Sequence, residues 1–225
     1  MIFDLHGTLL DDEALRLRLL QERCAAHDVP FDEASYPARF AGLDDRTTFR
    51  LLWSEAQRPL PPDELRRLLA EKSRGYAAAL AEEVPLFPGA RSLFEEASRR
   101  LPVGVVAGSL RADAQAALKG AGFFRRCSAL VTADELSRPT PSPEGYAACI
   151  AALDEVARRY GGEVITPRSV LVFEDTEAGI HAAQRAGCKV AAVAHTQRLD
   201  RLAAAESHAA RLIDLDLAGL EKELF

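Results

Sequence analysis

Two short apolar runs in this sequence end in carboxylates. Ile2-Phe3 leads into Asp4, followed by Leu5, His6, Gly7, Thr8 and Leu9, and Val172-Phe173 leads into Glu174 and Asp175. In open α/β sheets ligands bind outside the carboxyl ends of the strands, so residues that follow such runs gather at one rim. A rim carrying Asp4, Glu174 and Asp175 is a hard oxygen site suited to Mg²⁺, which takes one or two carboxylates and completes its shell with water and phosphate oxygens. His6 adds a side chain able to exchange protons near neutral pH.

The elements needed to hold these residues together are legible as short apolar runs alternating with helical patterns, the signature of an α/β fold with a parallel sheet. Candidate strands are Met1 to Leu5, Val103 to Gly108, Ala129 to Thr132, Ser169 to Phe173 and Lys189 to Val193, with a weaker last one at Arg211 to Leu215. Helices are expected at Pro88 to Arg100, Arg111 to Gly120, Pro143 to Tyr160 and Ala178 to Ala186. About a hundred residues separate the first two strands, far beyond the dozen or so that a parallel crossover needs. Within that gap, apolar residues recur at helical spacing (Leu15, Leu17 and Leu20; Phe49, Leu51, Leu52 and Trp53; Leu65, Leu68 and Leu69) and no strand pattern occurs, so an inserted helical module is expected. Residues 12–83 form that module, and residues 1–11 with 84–225 form a doubly wound, Rossmann-like core.

Composition narrows the partners. The 225 residues are 48% hydrophobic and 28% charged, ordinary for a globular chain. No apolar run approaches the roughly 20 residues of a membrane span. The N-terminus lacks the basic, apolar and small-residue sequence of a secretory leader, which predicts a cytoplasmic location. A net charge of −6 without a basic stripe argues against nucleic acid. Cys24, Cys127, Cys149 and Cys188 show no metal-binding or disulfide spacing and are expected to be reduced thiols. Four lysines among 28 basic residues leave 24 arginines, a bias that bears on Arg138.

At these motifs the chain resembles the haloacid dehalogenase superfamily, in its phosphatase and phosphomutase branch with a helical cap inserted after the first motif. Asp4 to Thr8 fit the family's DxDGT at every position but one, and Glu174 through Gly187 match its acidic pair and following helix. The resemblance covers nearly the whole chain. It implies that Asp4 is a nucleophile forming an aspartyl phosphate, that Asp4, Asp175 and the His6 carbonyl hold Mg²⁺, and that Glu174 orients metal-bound water. It also implies phosphate contacts from Thr8, Gly108, Ser109 and Arg138.

Three positions depart from the family pattern. His6 stands where the family places a second aspartate as acid/base; histidine can take that work, or fill space and offer only its carbonyl. Ala107 replaces the phosphate-binding hydroxyl, leaving Ser109 as the nearest substitute, either binding phosphate or capping the helix that starts at Leu110 or Arg111. Arg138 replaces the family's lysine and keeps the charge with a different geometry. Asp11, Asp12 and Glu13 are expected to be a solvated acidic helix start, the alternative being that they shape the substrate entrance. In the segment Ala41 to Arg46, Arg46 is expected to pair with Asp44 or Asp45, or to meet a substrate anion, and His195 is expected at the surface. The favoured expectation is a Mg²⁺-dependent phosphoryl hydrolase acting on a small phosphorylated metabolite, as a monomer or homodimer. Rivals are an impaired pseudoenzyme that binds a phosphorylated ligand, favoured by the three departures, and a 2-haloacid dehalogenase, opposed by the acidic pair.

Overall fold

The computed structural model describes residues 1–40, 43–138 and 140–225. Its sheet has six parallel strands: β1 (Ile2–Asp4), β2 (Gly104–Ala107), β3 (Ala129–Thr132), β4 (Leu171–Glu174), β5 (Lys189–Val193) and β6 (Ser207–Ala209), in the order β3-β2-β1-β4-β5-β6. The order reverses at β1, where connections run to β2 on one side and β4 lies on the other, so the rim above β1 is the crevice in which such sheets bind ligands. Asp4 is in register with Val106, and Phe3 with Phe173, which brings Asp4 to the same end as Glu174.

The nine helices assigned to the described residues are α1 (Glu13–Ala26), α2 (Tyr36–Arg39), α3 (Asp45–Glu55), α4 (Pro62–Glu82), α5 (Ala90–Arg100), α6 (Arg111–Gly120), α7 (Glu144–Arg159), α8 (Glu177–Arg185) and α9 (Leu217–Leu224). Central strands are apolar on both faces because helices cover both. On one face Phe3 stacks on Phe173 (centroids 4.6 Å apart) and Phe94 on Phe123 (4.2 Å). On the other, Ile2, Val172 and Val190 pack with Tyr146, Leu153 and Ile180. A third core, with Leu20, Phe49, Trp53 and Leu68, lies within α1–α4. Each fully buried side chain of this size contributes roughly 1.5–3 kcal/mol relative to exposure. The chain leaves the sheet region and returns to it side by side: the Asp11 amide donates to the Pro85 carbonyl (2.9 Å) and the Phe87 amide to that of Leu9 (3.0 Å).

The last strand differs from expectation. Arg211 to Leu215 hold a single 3-10 turn at Leu212–Asp214, with Leu212 buried and Arg211 paired with Asp214 (2.8 Å). The edge strand is Ser207–Ala209, which hydrogen-bonds to β5 but has no apolar run to announce it. The cysteines are free, three of them buried. No helix among the described residues is long and apolar enough to cross a membrane.

Candidate active site

Beyond β1 the chain turns sharply, with the Leu9 and Leu10 amides both donating to the Leu5 carbonyl (3.0 Å each). Gly7 adopts φ +85°, a conformation glycine enters freely. The turn brings Asp4 and His6 to a pocket that Glu174, Asp175, Thr176, Gly108, Thr140 and Thr196 also line. From the helical segment come Glu13, Arg16, Tyr36 and Leu43.

The three carboxylates are buried at one place with unequal partners. Glu174 is fully engaged: the Tyr146 hydroxyl donates to Oε1 (2.8 Å), and the Asp175 and Thr176 amides (2.9 Å each) and the Thr176 hydroxyl (3.0 Å) donate to Oε2. Asp175 accepts from the Thr8 hydroxyl (3.1 Å) on Oδ1 and from Thr196 on Oδ2. Asp4 keeps a buried Oδ2 with no partner among the described residues. Burial, then the charges of Glu174 and Asp175, push the Asp4 carboxyl well above the ordinary range; burial and Glu174 do the same to Asp175. None of the three forms an ion pair with a described Lys, Arg or His, and no ready-made cage of three or more His, Cys, Asp and Glu side chains exists among the described residues.

His6 is held at both ring nitrogens. Nδ1 lies 2.7 Å from Asp12 Oδ2 and Nε2 lies 2.8 Å from Ser109 Oγ, while the Tyr76 hydroxyl donates to the same Asp12 oxygen (2.5 Å). Asp12, 1% exposed, is therefore no solvated helix start. Burial pushes its carboxyl up, but His6, Arg16 and Tyr76 outweigh burial and hold it below the ordinary value. Asp11 is exposed as expected, and Glu13 borders the pocket.

Other expected residues are placed differently. Thr8 directs its hydroxyl to Asp175. Ser109 neither caps a helix nor borders the pocket: Leu110 is the N-cap of α6, the Arg111 amide donates to Asp134 (3.1 Å), and the serine hydroxyl is taken by His6. Gly108 does line the pocket, and a Cβ there would meet nothing within 4 Å. Arg138 is outside the cluster, its side chain 80% exposed with Nε 3.6 Å from Glu144. Glu144 also accepts the Ser137 (2.8 Å) and Arg138 (3.1 Å) amides, which fixes the carboxylate where it draws the arginine outward. The neighbouring Pro139 lies outside the described residues, as do Ala41 and Gly42.

Asp44 caps α3 by accepting from the Arg46 (3.0 Å) and Thr47 (3.2 Å) amides, and Asp45 meets Lys72 (2.7 Å) and Arg16 (3.6 Å) rather than Arg46. His195 is half-buried, stacked on Phe87 at 3.8 Å, with Nδ1 3.0 Å from the Gly7 carbonyl, so it braces the turn instead of lying free at the surface. Sequence reasoning missed Arg16, Tyr76 and Tyr146. They sit on helices outside the motifs, and only the fold brings them to the Asp45, Asp12 and Glu174 carboxylates that they meet.

The family model for haloacid dehalogenase-like hydrolases matches residues 1–193. This chain belongs to that family. It is 30% identical over 212 residues to the validoxylamine A 7'-phosphate phosphatase of Streptomyces hygroscopicus subsp. limoneus, covering 91% of this chain and 90% of that protein. It is also 30% identical over 190 residues to the fructose-1-phosphate phosphatase of Escherichia coli, covering 83% and 92%. Among solved structures, CbbY from Rhodobacter sphaeroides in complex with phosphate has the same fold, with a TM-score of 0.84 at 23% identity over 98% of this chain and 97% of that one. The relatives place the chain in the phosphatase and phosphomutase branch.

Proposed function

We propose that the protein is a Mg²⁺-dependent phosphatase acting on a small phosphorylated carbohydrate or cyclitol, with Asp4 as nucleophile and His6 as acid/base. The observation that carries this reading is the unpartnered, buried Oδ2 of Asp4 beside Asp175 and Glu174. A buried carboxylate oxygen without a donor costs free energy, and a divalent cation bound there offsets it. Asp4, Asp175 and the His6 carbonyl would hold the ion and Glu174 would orient its water, a donor set that fits Mg²⁺, which relies on few carboxylates and keeps several waters. When bound, Mg²⁺ supplies charge that screens the phosphoryl oxygens.

The chain's own residues do the rest. Asp4 attacks phosphorus, the bond from phosphorus to the substrate oxygen breaks, and a proton passes from protonated His6 to that oxygen. Water then attacks the aspartyl phosphate, its proton passes back to His6, and phosphate and Asp4 carboxylate are released. Residues 12–83 act as a cap whose Arg16 and Tyr36 face the part of the substrate that does not react. The names of the relatives support a phosphorylated carbohydrate or related cyclic polyol. The placement of Arg138 outside the cluster favours a second reading, a pseudoenzyme that binds a phosphorylated ligand.

Phosphate release from an aryl phosphate and a panel of sugar phosphates, with Mg²⁺ and with chelator, tests both. Turnover that needs Mg²⁺ and is lost in Asp4→Asn supports the phosphatase; ligand binding without turnover supports the pseudoenzyme.

A further inference from the structure

Replacing an aspartate by a histidine as acid/base raises a difficulty that the family's usual carboxylate does not have. A carboxyl group exchanges a proton through either oxygen, whereas a neutral imidazole has one basic nitrogen, and which one depends on the partner of the other. Asp12 supplies that partner. A carboxylate can only accept, so the 2.7 Å contact from Asp12 to Nδ1 requires a hydrogen on Nδ1; in the neutral ring Ser109, 2.8 Å from Nε2, then donates to a basic Nε2, and in the protonated ring it accepts from Nε2. The Tyr76 hydroxyl occupies the same Asp12 oxygen and fixes the carboxylate in turn.

We propose that Asp12, braced by Tyr76, is a positioning residue that locks the neutral His6 ring in the Nδ1–H form and so leaves Nε2 its one basic nitrogen, the atom that exchanges the proton with the substrate oxygen on giving up the Ser109 hydroxyl. The inference rests on the phosphatase reading of the site. Asp12 is at the start of α1 and Tyr76 on α4, so the helical segment supplies the groups that set the chemistry of a residue on the turn after β1. The order Asp12, His6, Ser109 has the form of a nucleophilic triad, in which the hydroxyl would attack. Here the hydroxyl is 2% exposed and does not border the pocket, while His6 does, so Ser109 steadies the ring and does not attack substrate.

The experiment pairs a spectroscopic reading with kinetics. ¹⁵N-histidine spectra of the full chain, recorded near pH 8.5 where an ordinary imidazole is neutral, identify the protonated nitrogen of His6, the signal being assigned by its loss in His6→Gln. The wild type is expected to show Nδ1–H. In Asp12→Leu no acceptor remains at Nδ1, and the hydrogen moves to Nε2, from which it donates to the Ser109 hydroxyl. Correspondingly, kcat/KM for a sugar phosphate, whose alkoxide must be protonated as it leaves, should fall about 10²–10⁴-fold, the usual worth of general acid catalysis. For p-nitrophenyl phosphate, whose leaving group needs no proton, the fall should be at least about tenfold smaller.

Tyr76→Phe should keep Nδ1–H, because Asp12 still accepts. An Nε2–H form in the wild type overturns the proposal, as do equal losses on the two substrates. If Asp12→Leu does not fold, the wild-type and Tyr76→Phe spectra decide. Failure of the phosphatase reading looks different: the wild type releases phosphate from neither substrate, and the proton-transfer role falls with it.

Discussion

A Cβ built on Gly7 would stand 2.2 Å from Oδ2 of Asp175. The turn after β1 and the carboxylate after β4 therefore approach as closely as they do only because residue 7 has no side chain, and the backbone there is also left-handed. Gly7→Ala meets both obstacles. Strain at such a position costs about 1–3 kcal/mol, and relief of the clash would displace Asp175 from Thr8 and Thr196. The variant is expected to unfold at lower temperature and to lose most phosphatase activity. Gly108→Ala is the control for stability, since its Cβ meets nothing within 4 Å. Thermal unfolding of both variants checks this, and equal midpoints would refute it.

Asp4→Asn should separate function from stability. In the wild type, burial and the charges of Glu174 and Asp175 disfavour ionised Asp4, and its Oδ2 lacks a donor. An amide removes the repulsion and supplies hydrogen-bond donors, so in chelator the variant should be more stable by about 1–3 kcal/mol, the scale of an unsatisfied buried polar group. Active sites commonly sacrifice stability in this way. Added Mg²⁺ should raise the unfolding midpoint of the wild type, by linkage to binding, and that of Asp4→Asn much less. A variant that melts below the wild type in chelator, or a wild type indifferent to Mg²⁺, would contradict this account of the site.

Residues whose role follows from local pattern were legible in the sequence. The runs at β1 and β4 are apolar because both faces are covered, and their ends carry Asp4, Glu174 and Asp175. What could not be read depends on where distant side chains go. Asp12 has the sequence of a solvated helix start and is buried because His6 and Tyr76 claim it. Arg138 carries the charge expected of a phosphate ligand, yet Glu144, held at the start of α7 by two backbone amides, draws it away. β6 escaped because an edge strand of Ser207, His208 and Ala209 has no apolar period, while the more apolar Leu212 and Ile213 belong to a turn.

Lys72 and Asp45 form a buried ion pair at 2.7 Å between α4 and α3. Burial pushes the Asp45 carboxyl up, but Lys72 and then Arg16 outweigh it, so its pKa lies below the ordinary value. A group depressed in the folded state contributes stability above its unfolded pKa and loses it as pH falls through the folded pKa. Lys72→Met leaves Asp45 with Arg16 alone, at 3.6 Å, and should cost about 3 kcal/mol near pH 7. The gap between wild type and variant should narrow as pH drops below about 4, where the carboxyl takes up a proton. Urea unfolding at the two pH values measures it, and a gap that widens in acid would be the wrong sign.

Arg138 and Arg16 exchange the importance that their positions in the sequence suggest. Arg138 is exposed beside Glu144, an arrangement worth about 0–1 kcal/mol, whereas Arg16 borders the pocket with a buried Nε that has no partner among the described residues. Its guanidinium is weakly held at 3.6 Å from Asp45, so donors remain for a ligand. It lines the pocket from the helical segment, whereas Asp4 ends β1, and in the proposed reaction its contact is with the part of the substrate that does not react. Loss of such a contact removes binding that ground state and transition state share, which raises KM and leaves kcat nearly unchanged. Arg16→Gln, which keeps hydrogen-bonding capacity, is expected to raise KM about tenfold or more, the worth of one charge-assisted hydrogen bond. Arg138→Ala should change kcat/KM by less than about fivefold, the equivalent of 1 kcal/mol. Steady-state kinetics on one sugar phosphate compare the two. A large loss of kcat in Arg138→Ala with little effect of Arg16→Gln would mean that Arg138 leaves Glu144 and swings over the phosphoryl group when substrate binds.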